Sequence, residues 1–307
     1  MEHEHTAERG TSRRKMLAVG GAVLAGTLAG CSLTSDDDDE PSANGAPAQS
    51  SGSESESLLA RIKKDKKIRL GVDLTFAPLQ FRDPDTNEPT GYSIEVVKLL
   101  AQALGAEPEW VEVPFADLFS AQAAGRFDIA GIAAVNTPER AQQVAFAYAP
   151  TFLEGNYLFQ RKGLNLSDDS ALNDSGITIA AVVGTSQSAA AKLLYPKAKI
   201  KELPDYPAAL ADVSTNRSDV LFVGEYAAAE AADKGLSPIS RDPVAVAWNT
   251  FFLPLGDVAM HQFITVFLQN KAADLTLADL WQRFVAADVE KQGLRTAAVK
   301  DPYLSAA

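Results

Sequence analysis

Cysteine is almost missing from this sequence: Cys31 is the only one in 307 residues. No disulfide can form within the chain, and a zinc site built on several thiolates is excluded. Histidine is nearly as scarce. His3 and His5 sit at the N-terminus, which leaves His261 alone in the rest of the chain. No metal cluster and no nucleophile–base pair can be read from such a set, so neither a metal nor a cofactor is expected. Positive charge is also short, with 28 Lys and Arg against 40 Asp and Glu and a formal net charge of −12. The basic footprint that a phosphate backbone requires is lacking, and no nucleic-acid partner is expected. No apolar run approaches the roughly 20 residues needed to cross a bilayer. What remains is a globular composition, 46% hydrophobic and 22% charged, large enough for one big domain or two lobes.

The acidity is unevenly placed. Residues 1–30 carry +1, whereas residues 32–57 hold seven acids from Asp36 to Glu56 and no Lys or Arg, which leaves only −6 of the −12 for the remainder. Arg13-Arg14-Lys15 precedes the apolar run Leu17–Ala29, which ends in Leu28-Ala29-Gly30-Cys31. A basic start, a short apolar core and a small-residue end have the order of an export signal. The ending resembles the bacterial lipobox, whose cysteine is lipidated and becomes the new N-terminus, and the paired arginines resemble a twin-arginine signal, although Met16 stands where that motif usually has Phe. Residues 1–31 are therefore expected to be a lipoprotein signal with Cys31 as lipidation site. The chain would then be anchored to the outer face of the cell membrane. Residues 32–57, with Leu33 their one large aliphatic residue, cannot bury enough apolar surface to offset their conformational entropy and read as a disordered acidic tether.

From Ile68 onward strand-like and helix-like runs alternate. Ile68–Val72, Trp110–Val113, Phe127–Ala130, Ile177–Val183, Ile200–Leu203, Val220–Val223 and Pro238–Ser240 read as strands. Ile94, Val97, Leu100, Ala101 and Leu104 recur at helical spacing, and Gly105 suits the end of that helix. Asp117–Ala124 reads as a short helix, and Thr137-Pro138-Glu139-Arg140 as a helix start. Helices are expected near Asp257–Asn270 and Leu277–Asp288, the latter opened by Thr276-x-x-Asp279. Such alternation predicts α/β layers with mostly parallel sheets, in which ligands sit beyond the carboxyl ends of the strands.

Several short motifs appear in one order: Ile68–Phe81, Gly91-Tyr92-Ser93-Ile94-Glu95, Gly125-Arg126-Phe127-Asp128 and Asn136-Thr137-Pro138-Glu139-Arg140. Together they resemble the polar-amino-acid-binding family (family 3) of extracellular solute-binding proteins of ABC importers, over about Ile68 to Phe284. The resemblance implies a two-lobed type II periplasmic-binding fold. Lobe 1 would hold residues 58–155 plus 248–307 and lobe 2 residues 156–247, with two hinge strands between them. It also implies a monomer that hands a small amino-acid-like carboxylate to a membrane permease. In that reading Arg140 grips the ligand carboxylate in a bidentate pair. Main-chain donors around Ala133 and Val135 assist, as does the helix start at Thr185 and Ser186. Phe76 and Phe115 match the positions that sandwich the ligand side chain. Asp73 matches an acidic position that contacts cationic ligands in some members; as a residue following a strand it can equally cap the turn.

Two departures stand out. The family usually has an aspartate after the strand Val220–Val223, paired with the ligand ammonium, and here that position is Gly224, followed by Glu225 and Tyr226. Val135 stands where Ser or Thr is common, and Ala133 likewise lacks a polar side chain. Either Glu225 reaches in to replace the aspartate, or the ligand has no free primary α-ammonium; the second explanation is favoured. Two other functions remain: a prephenate-type dehydratase on the same fold, and a ligand-sensing domain that presents to a receptor. Scarce histidine speaks against the first and the lack of a following signalling segment against the second.

Overall fold

The computed structural model describes residues 57–295. Cys31, the expected export signal and all but the last residue of the expected tether lie outside the described residues. Ser57 accepts a hydrogen bond from Ala60 N–H and so opens the helix Leu58–Asp65. The Asp257 carboxylate accepts from Leu58 N–H at 2.6 Å and from Met260 N–H at 2.8 Å, which ties that helix to the start of the helix Val258–Ala273.

Two sheets organise the chain. In the first, the strand Lys67–Val72 lies between Glu107–Glu112 and Ile129–Ala130, parallel to both. The helix Tyr92–Leu104 covers it with Ile94, Val97, Leu100 and Leu104, all buried. Each such aliphatic side chain taken from water contributes about 1.5–3 kcal/mol. The second sheet has the order Lys199–Leu203, Thr178–Val182, Val220–Gly224, Phe152–Gln160, Ala245–Thr250, Ala134–Val135, with Ser237–Pro238 also on Phe152–Gln160. Thr178–Val182 runs parallel to its two neighbours, whereas every pairing made by Phe152–Gln160 and Ala245–Thr250 is antiparallel.

Those two strands carry the chain between the lobes, and they pair with each other over five residue pairs, Ala245 opposite Asn156 through Asn249 opposite Phe152. The expected lobe limits at 155/156 and 247/248 fall inside them. Phe152, at the entry, is locked by aromatic packing: its ring stacks on Trp281 at 4.9 Å, and Tyr92 meets both edge-on at 5.5 and 5.1 Å.

One expected cap does not form. Leu275, at φ 64°, precedes the helix Thr276–Trp281, and no side chain caps it. Thr276 instead donates its N–H and hydroxyl to the carboxylate of Asp274. Among the described residues no helix is long and apolar enough to cross a membrane, and no group of His, Cys, Asp and Glu is arranged to hold a metal ion.

Candidate ligand-binding site

The carboxyl ends of the strands from both lobes converge on a cavity of about 40 Å³ lined by Phe76, Phe115, Ala133, Val135, Arg140, Thr185 and Ser186, all expected from the sequence. Tyr226, which stands where the family usually has Pro and could line an altered pocket, and Leu79, Gln80, Phe152, Glu154, Gln187 and Asn249, which were not expected, complete the wall.

Arg140 stands in the short helix Pro138–Ala141, whose first turn is capped by the Thr137 hydroxyl accepting from Arg140 N–H. Its guanidinium donates to Val135 O at 2.6 Å and to Gly184 O at 2.8 Å. The second bond runs from lobe 1 to lobe 2. The same group lies over the Phe119 ring at 4.6 Å and the Phe115 ring at 5.7 Å. Burial lowers its pKa to about 10, partly countered by the charges of Glu154 and Glu139, so it stays cationic at neutral pH. Gly184 brings the lobes together. Its φ is +76°, and a Cβ there would stand 3.1 Å from Ala116 Cα on the opposite lobe. Beyond it the helix Ser186–Leu194 starts under the Thr185 cap, and Thr185, Ser186 and Gln187 at that start line the cavity.

Phe76 and Phe115 do not stand apart as two faces of a sandwich. Their rings meet at 5.7 Å, so no ligand group fits between them as they stand. With Tyr206 stacked on Phe76 and Tyr226 edge-on to it, both at 6.3 Å, they form one continuous aromatic wall.

The residue that sequence reasoning missed is Glu154. Side chains alternate along the strand Phe152–Gln160, which puts Phe152, Glu154 and Asn156 on one face. Glu154 is 4% exposed. Its Oε1 accepts from Gln187 Nε2 at 3.1 Å and its Oε2 from Asn249 Nδ2 at 3.0 Å. Burial drives its pKa up to about 7, against the lowering effect of those two amides and of Arg140. No local signal marks Phe152-Leu153-Glu154-Gly155-Asn156 as a strand, since Glu, Gly and Asn are poor strand formers and the run does not alternate.

Two expected residues lie elsewhere. Asp73 turns away from the cavity. Its carboxylate accepts from Phe115 N–H at 2.7 Å, from Thr75 N–H at 3.0 Å and from the Thr75 hydroxyl at 2.7 Å. It closes the turn after the strand, the alternative that its position allowed, and burial raises its pKa. Glu225 does not reach in. It is fully buried on the other face of Phe152–Gln160, where its Oε1 accepts from Gly155 N–H. Gly155 is one residue from Glu154, and alternation separates the two carboxylates by the thickness of the strand.

A larger groove, about 920 Å³, lies beside Tyr148, Trp248, Leu255 and Val258. It is open and mostly apolar, and its one carboxylate, Asp257, is engaged in capping. Arg140 and Glu154 bring opposite charges to the smaller cavity, and the helix start at Thr185 and Ser186 reaches it from the other side, the few convergent polar groups expected of a ligand site.

The bacterial extracellular solute-binding proteins, family 3, match this chain over residues 68–287. A probable amino-acid ABC transporter-binding protein of Haemophilus influenzae is 30% identical over 102 residues, 33% of this chain and 39% of that one. The L-cystine-binding protein TcyA of Bacillus subtilis is 27% identical over 38% of this chain and 40% of its own. The match thus spans about two fifths of those two relatives. The L-cystine-binding protein TcyJ of Escherichia coli is 22% identical over 77% of this chain and 89% of its own. Among solved structures, the ancestral amino acid-binding protein AncCDT-1, a precursor of cyclohexadienyl dehydratase, superposes with a TM-score of 0.70 at 26% identity, covering 75% of this chain and all of that one. The cysteine-binding protein of Campylobacter jejuni does so with 0.68 at 20% identity over 76% and 94%. With a type II periplasmic-binding fold, a cavity between its lobes and a family match across more than two thirds of its length, the chain belongs to the bacterial extracellular solute-binding proteins, family 3.

Proposed function

We propose that this protein is the capture component of an ABC importer and closes its two lobes on an amino acid or a close derivative. One observation carries the reading: Arg140 from lobe 1 and the helix start at Thr185–Ser186 from lobe 2 meet on one cavity, and Arg140 already bonds across to Gly184 O. A ligand carboxylate placed there contacts both lobes only when they are closed, so binding favours closure by its differential affinity for that state. A cavity of about 40 Å³ is close to a single water's share of volume. Entry therefore requires the lobes to part. A micromolar ligand supplies about 8 kcal/mol for capture and closure together. The names of the relatives support an amino-acid ligand and a permease partner. Arg13-Arg14, the apolar run and Leu28-Ala29-Gly30-Cys31 support export with a lipid on Cys31.

A second reading is acid catalysis on the same fold. It draws on Glu154, a buried carboxyl that holds its proton up to about pH 7. One experiment separates the two. The purified protein is offered a panel of amino acids and of prephenate-like acids, and both thermal unfolding and product formation are followed. Saturable stabilisation by an amino acid without product supports capture. Product formation, or indifference to every amino acid, refutes it.

A further inference from the structure

Gly224 leaves the strand Val220–Gly224 without a side chain at the mouth of the cavity, and the reason lies on the neighbouring strand. A Cβ built on Gly224 would lie 2.0 Å from Glu154 Oε1 and 2.4 Å from the Tyr226 ring. That volume is already occupied by a carboxylate, so residue 224 can be nothing larger than glycine while Glu154 points where it does. Glu154 in turn is the one carboxylate among the described residues of the cavity wall, held in place by two side-chain amides, Gln187 and Asn249. A second polar atom has no protein partner: Gln80 is 4% exposed and lines the same cavity, and its Oε1 accepts no hydrogen bond among the described residues. The wall therefore offers an anionic acceptor and an unused neutral acceptor, while Arg140 and the helix start at Ser186 supply positive potential. A wall of this kind suits a zwitterion.

We infer that Glu154 is the counter-charge for the ligand's ammonium group, supplied from the strand Phe152–Gln160 in the space that a side chain on residue 224 would otherwise fill. The ligand class is then an α-amino acid with a free ammonium, and the ammonium-free ligand expected from Gly224 alone is replaced. Burial supports this assignment. It holds the Glu154 pKa near 7 despite two amide donors and Arg140, which marks a carboxylate with insufficient compensation until a cation arrives. Within the cavity the titratable groups that face it are Arg140 and Tyr226. The first stays cationic and the second stays neutral, its pKa raised by burial. The inference rests on the proposed amino-acid capture.

Its test uses the purified protein and titration calorimetry. The probes are free amino acids, their N-acetyl counterparts and their deaminated counterparts, offered to wild type, Glu154→Gln and Gly224→Ala. The expected result is that wild type takes a free amino acid at least 100-fold more tightly than either modified form. Both variants should lose at least 100-fold for the free form. Gln at 154 preserves shape and one carbonyl acceptor, and Ala at 224 displaces the carboxylate without removing it. If Glu154→Gln binds the same amino acid within threefold of wild type, or if wild type prefers the deaminated acid, the assignment of Glu154 is overturned while capture stands. If wild type takes no free amino acid at all, the amino-acid reading itself fails and the assignment with it. Should a variant fail to fold, the comparison of modified ligands on wild type still decides.

Discussion

Replacing Glu154 by Gln should make the ligand-free protein gain stability relative to wild type as pH rises from 4 to 8, on top of a pH-independent offset from facing one of the two amide donors with an NH2 group. The folded protein holds this proton with a pKa of about 7, against an ordinary value of 4.5. Between these values the native state binds more protons than the unfolded state, so stability falls as pH rises through that window. At 1.36 kcal/mol per pH unit the displacement corresponds to about 3 kcal/mol, fully expressed above pH 7 and lost below pH 4.5. Gln keeps the volume and does not ionise. The other titrations are common to both proteins and cancel in the difference. Urea unfolding of both at pH 4, 6 and 8 without ligand would read the effect as a gap that opens with pH in favour of the variant. With saturating amino acid at pH 8 the gap should close by about 2.7 kcal/mol or more, the worth of a 100-fold difference in affinity, because only wild type gains from the ammonium. A gap that stays constant from pH 4 to 8, or one that closes as pH rises, would refute the reasoning.

Other outcomes follow from the same geometry. Amino-acid affinity, measured by calorimetry, should fall about tenfold per pH unit below pH 7 as the Glu154 carboxylate takes up its proton, and the profile of Glu154→Gln should be flat. Arg140→Ala should weaken binding by at least about 100-fold, from two charge-assisted hydrogen bonds to the ligand at about 1.5 kcal/mol each. Arg140→Lys should recover only a small part, since an ammonium cannot make the bidentate pair. Asp73→Ala should cost about 1–3 kcal/mol in unfolding free energy by stranding the Phe115 and Thr75 N–H groups. Direct ligand contact by Asp73 would instead appear as lost affinity at unchanged stability.

The alternation of short aliphatic runs with helical spacing made the α/β layering readable in advance, because burial on both faces of a parallel strand demands continuous apolar residues. Val220–Val223 is of this kind, and Ile68–Val72 comes near it, interrupted only by Arg69 and Gly71. The crossing strands are not of this kind. Phe152–Gln160 buries Glu, Gly, Asn and Gln, and Ala245–Thr250 exposes Val246 and Trp248, so neither resembles the pattern that a strand normally writes. Both are strands through pairing with each other, a tertiary cause that no local window contains. The site divided along the same line. Residues at the ends of legible elements, such as Phe76, Arg140 and Thr185, were named from the sequence. Glu154, Gln187 and Asn249 owe their meeting to the crossing, whereas Glu225 was considered because it follows Gly224, the position at which the family usually has an aspartate.

The position of Glu154 on a crossing strand, opposite Ala247, has a mechanical consequence. When two bodies swing about a pair of strands, points on those strands travel least and points on the outer loops travel most. Under the proposed capture by closure, Glu154 and Asn249 would be in place before the swing begins, whereas Arg140 and Ser186 would arrive with it. An arriving zwitterion would be anchored by its cationic end near the axle and gripped by its anionic end as the arms come round, so that the order of events in capture is written into the distance of each contact from the pivot.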